Sequence, residues 1–358
     1  VRCRPWQDEP WTHDVVLVGE PGPEATLYLT GGDPHPQDIA WARTLAARSR
    51  RPVAIVFQVP NQPRFGLTED WLIARTFDEY LATGDPGWPL LLPMADGAAA
   101  AAEAAGEAWG CRSWVAAGAS KRAWTAWLAA VRWPERFVGV ASLAFDHLDM
   151  RAQVDRQRAA WGTPSPMYEP YSELGLLERA HGPEGDGLLA LVDPGLHLDR
   201  LRAEVLLSTG ANDPFWMLDA ASVYWNRIPT RKRAAFRPNL GHALPSDPAS
   251  LGSVGVFVDG CFGGEALPEP ALEQVDGRFV CPWEGDAVAW LWSAGSDSPN
   301  FVGARWRPIL LAGAAPLPPE VAEAPWRAVF VELCGADGRG PWSATSIPQV
   351  AGPSTGWR

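Results

Sequence analysis

Ser113-Trp114-Val115-Ala116-Ala117-Gly118-Ala119-Ser120-Lys121-Arg122-Ala123-Trp124 joins an apolar run to the helix-forming run that continues through Thr125-Ala126-Trp127-Leu128-Ala129-Ala130. A buried strand, a tight turn carrying a serine, and a helix are the layout of a nucleophile elbow. Such a turn exposes the hydroxyl and sets it at a helix N-terminus, where backbone N–H groups and the helix dipole favour developing negative charge. Gly118 tolerates the close approach that the turn demands, and Ala119 is small. Arg122 stands where the usual G-x-S-x-G pattern has its second glycine. Locally, the run reads equally well as a serine capping a helix, so the rest of the chain must decide.

Outward from this turn the chain alternates strands and helices. Upstream, Asp14–Val18 is an edge strand, Ala25–Thr30 a strand running into Gly31-Gly32-Asp33-Pro34, and Ile39–Arg48 a helix by its apolar spacing. Val53-Ala54-Ile55-Val56-Phe57-Gln58-Val59 is apolar on both faces and suits the centre of a parallel sheet. It ends in the polar loop Pro60-Asn61-Gln62-Pro63, at the sheet edge where α/β proteins bind ligands. Thr68–Thr83 and Ala98–Trp109 read as helices. Downstream, Phe137–Ala144 and Arg202–Thr209 are strands, Leu218–Arg227 is a helix, Lys232–Phe236 a short strand, and Leu251–Phe262 a closing helix. Residues 145–201 are richer in charges and turns and read as a helical cap inserted over the strand ends. Gly263–Pro270 is a linker, and short alternating strands follow it. The expected organisation is a mostly parallel α/β domain over 1–264 and a β-rich, sandwich-like part over 265–358.

Composition narrows the function. The 358 residues are 47% hydrophobic, and 30 basic against 42 acidic residues give a net charge of −12. An acidic chain without a basic cluster speaks against nucleic acid as a partner. No apolar run reaches the roughly 20 residues of a spanning helix. The chain opens on Val1 and shows no leader-like run, which leaves export open. The five cysteines are scattered without a CxxC pair, so neither a disulfide scaffold nor a zinc site is expected; Cys261 and Cys281 are the closest pair for a bridge. No phosphate-binding glycine loop is present, and no cofactor or metal is expected. Lysine occurs twice, at Lys121 and Lys232, and asparagine five times. Types this rare are retained where chemistry needs them, and Asn61, Asn212 and Asn239 all fall in loops at strand ends.

Ser120, Asp213 and His242 each follow a strand, separated by 93 and 29 residues. Their order is that of the α/β-hydrolases and differs from the two other well-known serine hydrolase orders. A serine hydroxyl is a weak nucleophile until a base lies within reach. His242 would take its proton, and Asp213 would fix the imidazole's tautomer and stabilise the imidazolium. Asp219 is the weaker alternative acid, lying in the following helical stretch. The N–H of Lys121 and one from the Gly31-Gly32 loop, assigned to Gly32, would hold the oxyanion. Asn61, Gln62, Arg122, Asn212 and, from the cap, His147 are the candidates for substrate contact. Arg122 serves equally to bind an acidic group or to shape the elbow. His181 and His197 also lie in the cap, and a packing role fits all three cap histidines as well.

Several runs carry a resemblance. Gln58-Val59-Pro60-Asn61-Gln62-Pro63, Arg75-Thr76-Phe77-Asp78, Thr83-Gly84-Asp85, Trp88-Pro89-Leu90, Gly118-Ala119-Ser120-Lys121-Arg122-Ala123-Trp124, Leu191-Val192-Asp193-Pro194 and Asn212-Asp213 resemble the PhoPQ-activated pathogenicity-related family, with which the amoebal autocrine proliferation repressors are grouped. The resemblance implies an α/β-hydrolase fold, export in many members, distant similarity to dipeptidyl-peptidase-type enzymes, and Ser120, Asp213 and His242 as the catalytic group. It also implies that Lys121-Arg122 is a family feature. The chain departs at Ala123 and in the Gly31–Pro34 loop. The expectation is a serine hydrolase acting on a small-molecule or peptide-like ester or amide, without cofactor. The rival readings are a hydrolase-fold binding or signalling protein and a sugar-binding protein built on the tryptophan-rich C-terminal part.

Overall fold

In the computed structural model, which describes residues 1–243 and 248–357, the alternating pattern becomes a sheet covered on both faces. The elements in chain order are β1 (Val15–Val18), β2 (Glu24–Leu29), α1 (Pro36–Ser49), β3 (Val53–Val56), α2 (Glu69–Thr83), α3 (Leu91–Trp109), β4 (Ser113–Ala119), α4 (Lys121–Arg132) and β5 (Phe137–Leu143). The cap follows as α5 (Met150–Trp161), α6 (Glu169–Glu173), α7 (Leu176–Arg179) and α8 (Pro183–Val192). Then come β6 (Glu204–Gly210), β7 (Lys232–Arg237), α9 (Pro248–Cys261), β8 (Glu273–Val275), β9 (Arg278–Val280), β10 (Val288–Ser296), β11 (Arg307–Leu310), α10 (Pro319–Ala322), β12 (Trp326–Asp337), β13 (Gly340–Thr345) and β14 (Gln349–Ala351).

Strands β3, β2, β4, β5, β6 and β7 run parallel in that spatial order, with β1 antiparallel on β3 at the edge. Period-two alternation decides what each face buries. Trp114 and Ala116 of β4, Leu27 and Leu29 of β2, and Val205 and Leu207 of β6 face α2, α3, α4 and the cap. Their neighbours Val115, Ala117, Tyr28 and Leu206 face α1 and α9. Burial on both faces explains why these strands read as continuous apolar runs. β3 lies beside the edge strand, away from the centre its composition suggested. It stops at Val56, because Gln58 adopts a left-handed φ of 59° where the chain turns into the 58–63 loop.

Two sequence expectations change in detail. Leu218–Arg227 is no continuous helix but two 3-10 turns, Ala220–Val223 and Trp225–Arg227. The C-terminal strands are present, and β13 pairs antiparallel with β7 so that they extend the same sheet. The sandwich-like layer is the β8–β9 ribbon, whose Phe279 packs on Leu291, Val329 and Val331 of β10 and β12. Of the tryptophans of this region, Trp306 is buried and Trp292 donates its Nε1–H to Glu332, whereas Trp283 is exposed. All five cysteines are free thiols.

Candidate active site

Parallel strands bring their C-terminal ends to one edge, and the chemistry-bearing loops of β2, β3, β4, β6 and β7 gather there. The turn after β4 has the geometry its sequence implied. Ser120 sits at φ 56°, ψ −125°, a conformation costing a non-glycine residue about 1–3 kcal/mol. The turn is held by Ser120 N–H donating to Leu143 O of β5, and by Ser120 O accepting from Ala123 and Trp124 at the start of α4. Gly118 is obligatory, since a Cβ there would lie 2.6 Å from the Arg122 carbonyl carbon.

His242 Nε2 lies 3.1 Å from Ser120 Oγ, and its Nδ1 lies 2.8 Å from Asp213 Oδ2. Phe215 packs against the imidazole with ring centroids 4.2 Å apart. Asp213 is nearly fully buried, and its Oδ1 accepts from Phe215 N–H. Asp219, the competing acid, is instead paired with Arg156 of the cap at 2.7 Å. Gly32 lines an open cleft together with Ser120, Gln62, Arg122 and His242, and a Cβ at Gly32 would meet nothing within 4 Å.

The remaining sequence candidates divide sharply. The Lys121 and Arg122 side chains turn away from Ser120 into an ion cluster. Arg122 is nearly buried; its Nη1 and Nη2 donate to the two carboxylate oxygens of Glu69 at 2.6 Å, and its Nε donates to Val59 O. Lys121 Nζ lies 2.9 Å from both Glu69 and Asp70. Gln62 completes the cluster by accepting from Glu69 N–H and donating to its carboxylate. Burial raises the Glu69 carboxyl, but the Arg122 hydrogen bonds and charge, with Lys121 and Gln62, overcome it and hold it well below the usual range. Of the two roles the sequence left open for Arg122, these contacts favour shaping the elbow, since its charge is balanced within the protein while it still lines the cleft. Its guanidinium lies over Gly31, where a Cβ would fall 1.6 Å from Nη2.

Asn61 and Asn212 likewise contact the protein's own backbone. Asn61 exchanges hydrogen bonds with the backbone of Thr12 and ties the N-terminal arm to the 58–63 loop. Asn212 donates to the carbonyls of Phe301, Val302 and Ala304, and Asn239 pairs with the backbone of Trp306. These rare residues are retained for tethering separate chain segments.

Beneath the cap lies a cavity of about 100 Å3. Its wall includes Ser120, Phe77, Trp124, Phe145, Tyr168 and Trp216, with His147 and His181 among its polar members. His147 is enclosed there, and burial pushes its imidazole down to about 3, so it is neutral. His181 bonds Leu177 O and Asp155, and the half-buried His197 bonds Ala190 O. Sequence reading missed the aromatic wall, because no spacing links Phe145, Tyr168 and Trp216 before the chain folds. It also missed Asp193. That buried carboxylate accepts from Asp149 N–H and Met150 N–H where the cap begins, and from Gly195 N–H where it ends. Among the described residues, no group of three or more His, Cys, Asp or Glu side chains is placed to hold a metal ion. No described helix is long and apolar enough to cross a membrane.

The architecture, a mainly parallel sheet between helices with antiparallel C-terminal strands, is that of the α/β-hydrolases. Puromycin hydrolase shares it at a TM-score of 0.50 and 15% identity, over 75% of this chain and 40% of that one. So does EstE1, a carboxylesterase cloned from a metagenomic library, at a TM-score of 0.50 and 16% identity, over 73% of this chain and 87% of that one. Within that class, residues 3–281 match the PhoPQ-activated pathogenicity-related protein family, and the chain belongs to it. Autocrine proliferation repressor protein A of Dictyostelium discoideum is 29% identical over 259 residues, which cover 65% of this chain and 52% of the relative. The chain thus spans about half the length of that curated relative.

Proposed function

We propose that the protein is a serine hydrolase that cleaves an ester or amide through an acyl-enzyme, with Ser120 as nucleophile, His242 as base and Asp213 as its partner. The observation that carries this reading is the hydrogen-bonded line from Ser120 Oγ through His242 to Asp213, at 3.1 and 2.8 Å, standing at the mouth of a cavity. As Ser120 Oγ bonds to the substrate carbonyl carbon, its proton passes to His242 Nε2, and Asp213 stabilises the imidazolium. The carbonyl π electrons move onto oxygen, which the N–H groups of Lys121 and Gly32 stabilise. The tetrahedral carbon then expels the leaving group, which takes the proton from His242. Water repeats the sequence on the acyl-enzyme, releasing the acid and restoring Ser120. No step requires a cofactor.

A fluorophosphonate probe should label the wild-type protein at Ser120, and Ser120→Ala should abolish labelling without changing the unfolding midpoint. His242→Ala should lower labelling and ester turnover by several orders of magnitude. Labelling that persists in Ser120→Ala removes the nucleophile assignment. No labelling and no turnover across esters and aminoacyl amides would favour a binding or signalling protein on a hydrolase fold, the reading suggested by the name of the amoebal relative.

A further inference from the structure

Two spaces of different character meet at Ser120. The cleft lined by Gly31, Gly32, Gln62 and Glu69 is open and more polar than the space under the cap, and His242 belongs to it. The cap cavity is walled mainly by aromatic and aliphatic side chains. On the hydrolase reading, His242 hands its proton to the leaving group, so the leaving group departs on the side of His242, into the more polar cleft. The acyl group must then occupy the other space, under the cap.

Within that apolar wall, the direction of one hydrogen bond can be fixed. Gln157 Oε1 accepts from Ser165 N–H at 2.9 Å, so its amide nitrogen is the end that faces Phe215 O at 2.9 Å and Tyr168 Oη at 3.4 Å. An amide NH2 cannot accept a proton. Tyr168 therefore directs its own hydroxyl proton at its remaining neighbour, His147 Nδ1, 3.2 Å away. A neutral imidazole that accepts at Nδ1 carries its proton on Nε2. That N–H has no acceptor among the described residues, and His147 retains accessible surface where it forms part of the cavity wall. Of the other polar lining groups, Lys121 and Tyr171 pair with Asp70, Arg151 Nη2 with Asp186 and His181 with Asp155, while Arg151 Nε and Trp216 Nε1 are buried donors without an acceptor among the described residues.

We propose that the cap cavity takes an apolar, ring-sized acyl group carrying an acceptor oxygen, and that His147 Nε2–H selects it by donating to that oxygen. The substrate class is an ester or amide of an oxygen-substituted aryl or similarly bulky acid, with a polar leaving group facing solvent. A buried donor left unmatched disfavours an analogue that lacks the acceptor, whereas extra apolar contact alone discriminates weakly.

The test keeps one leaving group and varies the acyl part: the p-nitrophenyl esters of acetic, 3-(4-ethylphenyl)propionic and 3-(4-methoxyphenyl)propionic acids. Both aryl esters should exceed acetate in kcat/KM, and the methoxy ester should exceed its ethyl counterpart roughly tenfold. In His147→Phe that methoxy-to-ethyl ratio should fall to about one. Tyr168→Phe, which frees the tautomer, should reduce it partway and serves if His147→Phe does not fold. Turnover of acetate with no aryl preference, or a methoxy-to-ethyl ratio near one in the wild type, overturns the inference and leaves the hydrolase reading intact. A ratio unchanged in His147→Phe also overturns the role of His147. Failure to turn over any of the esters, together with no fluorophosphonate labelling, takes down both readings.

Discussion

Arg122 and Gly31 form a matched pair. The guanidinium occupies the volume that a Cβ on residue 31 would need, and its charge is balanced by Glu69. Arg122→Ala should cost about 2–3 kcal/mol, below the value for a fully buried pair because Glu69 is partly open to water. Gly31→Ala should be similarly destabilising in the wild type and nearly neutral in the Arg122→Ala background. Denaturant midpoints of the four proteins in this cycle measure the coupling, and simple additivity would refute it. A second residue-scale effect comes from Asp146, which is fully buried behind the Asp213 loop. It accepts from Tyr224 through one oxygen, while the other has no partner among the described residues. Burial pushes its carboxyl up to about 7 from an ordinary 3.8, with Asp219 and Asp213 adding to the rise. A raised folded-state value means that Asp146 favours folding below about pH 4, and that this contribution is lost as pH rises through about 7. Asp146→Asn should therefore be more stable than wild type at pH 8.5, by on the order of 1–3 kcal/mol, and should gain little at pH 4. An equal difference at the two pH values would count against a buried protonated acid.

At the scale of elements, the cap stays in place because both of its ends meet one carboxylate. Asp193 accepts from the N–H groups of Asp149, Met150 and Gly195, and Trp124 of α4 donates to Val192 O beside it. Asp193→Ala would leave buried N–H groups without an acceptor, at a cost of about 2–3 kcal/mol. The loss should be local. Limited proteolysis is expected to cut within residues 150–192 while the sheet persists, and aryl ester turnover should fall further than acetate turnover. A uniform loss of stability with no new cleavage site in the cap would argue against this tether.

At the scale of the molecule, the C-terminal part is bound to the hydrolase sheet by more than a linker. β13 pairs with β7, Ser253 and Ser343 exchange hydrogen bonds, and Arg339 reaches the buried Asp259 of α9. Asn212 and Asn239, in the loops that carry Asp213 and His242, are anchored on residues 301–306. We expect the full chain to unfold in one cooperative calorimetric transition. A chain ending at residue 264 should be insoluble or lack a transition, because it bares the β7 edge and frees both site loops. Two separate transitions, or a stable and active truncated chain, would show instead that the two parts are independent domains.

Local sequence left the elbow level with a helix-capping serine, and what favoured it was the strand–helix alternation and the order Ser120, Asp213, His242 along the chain. Each depends on short-range rules: a glycine where a helix crosses closely, apolar runs for strands buried on both faces, and strand ends collected by parallel pairing. Tertiary structure alone decided what those rules do not reach. Asn61 and Asn212 looked like ligands because polar loop residues at strand ends often are, but the Asn61 amide and the Asn212 NH2 are engaged by backbone segments that lie 49 and about 90 residues away. For Arg122 the sequence left an acidic ligand and an elbow role equally open until α2 brought Glu69 against it. The cavity under the cap has no sequence signature, since it arises only where the cap closes over Phe145, Tyr168 and Trp216; His147 was named from the sequence as a substrate contact, but its tautomer is set only by the Tyr168 hydroxyl packed against it. The distinction is one of range: conformational preference is written within a few residues, whereas the partner that satisfies a buried polar group is chosen by which distant segment the fold packs against it.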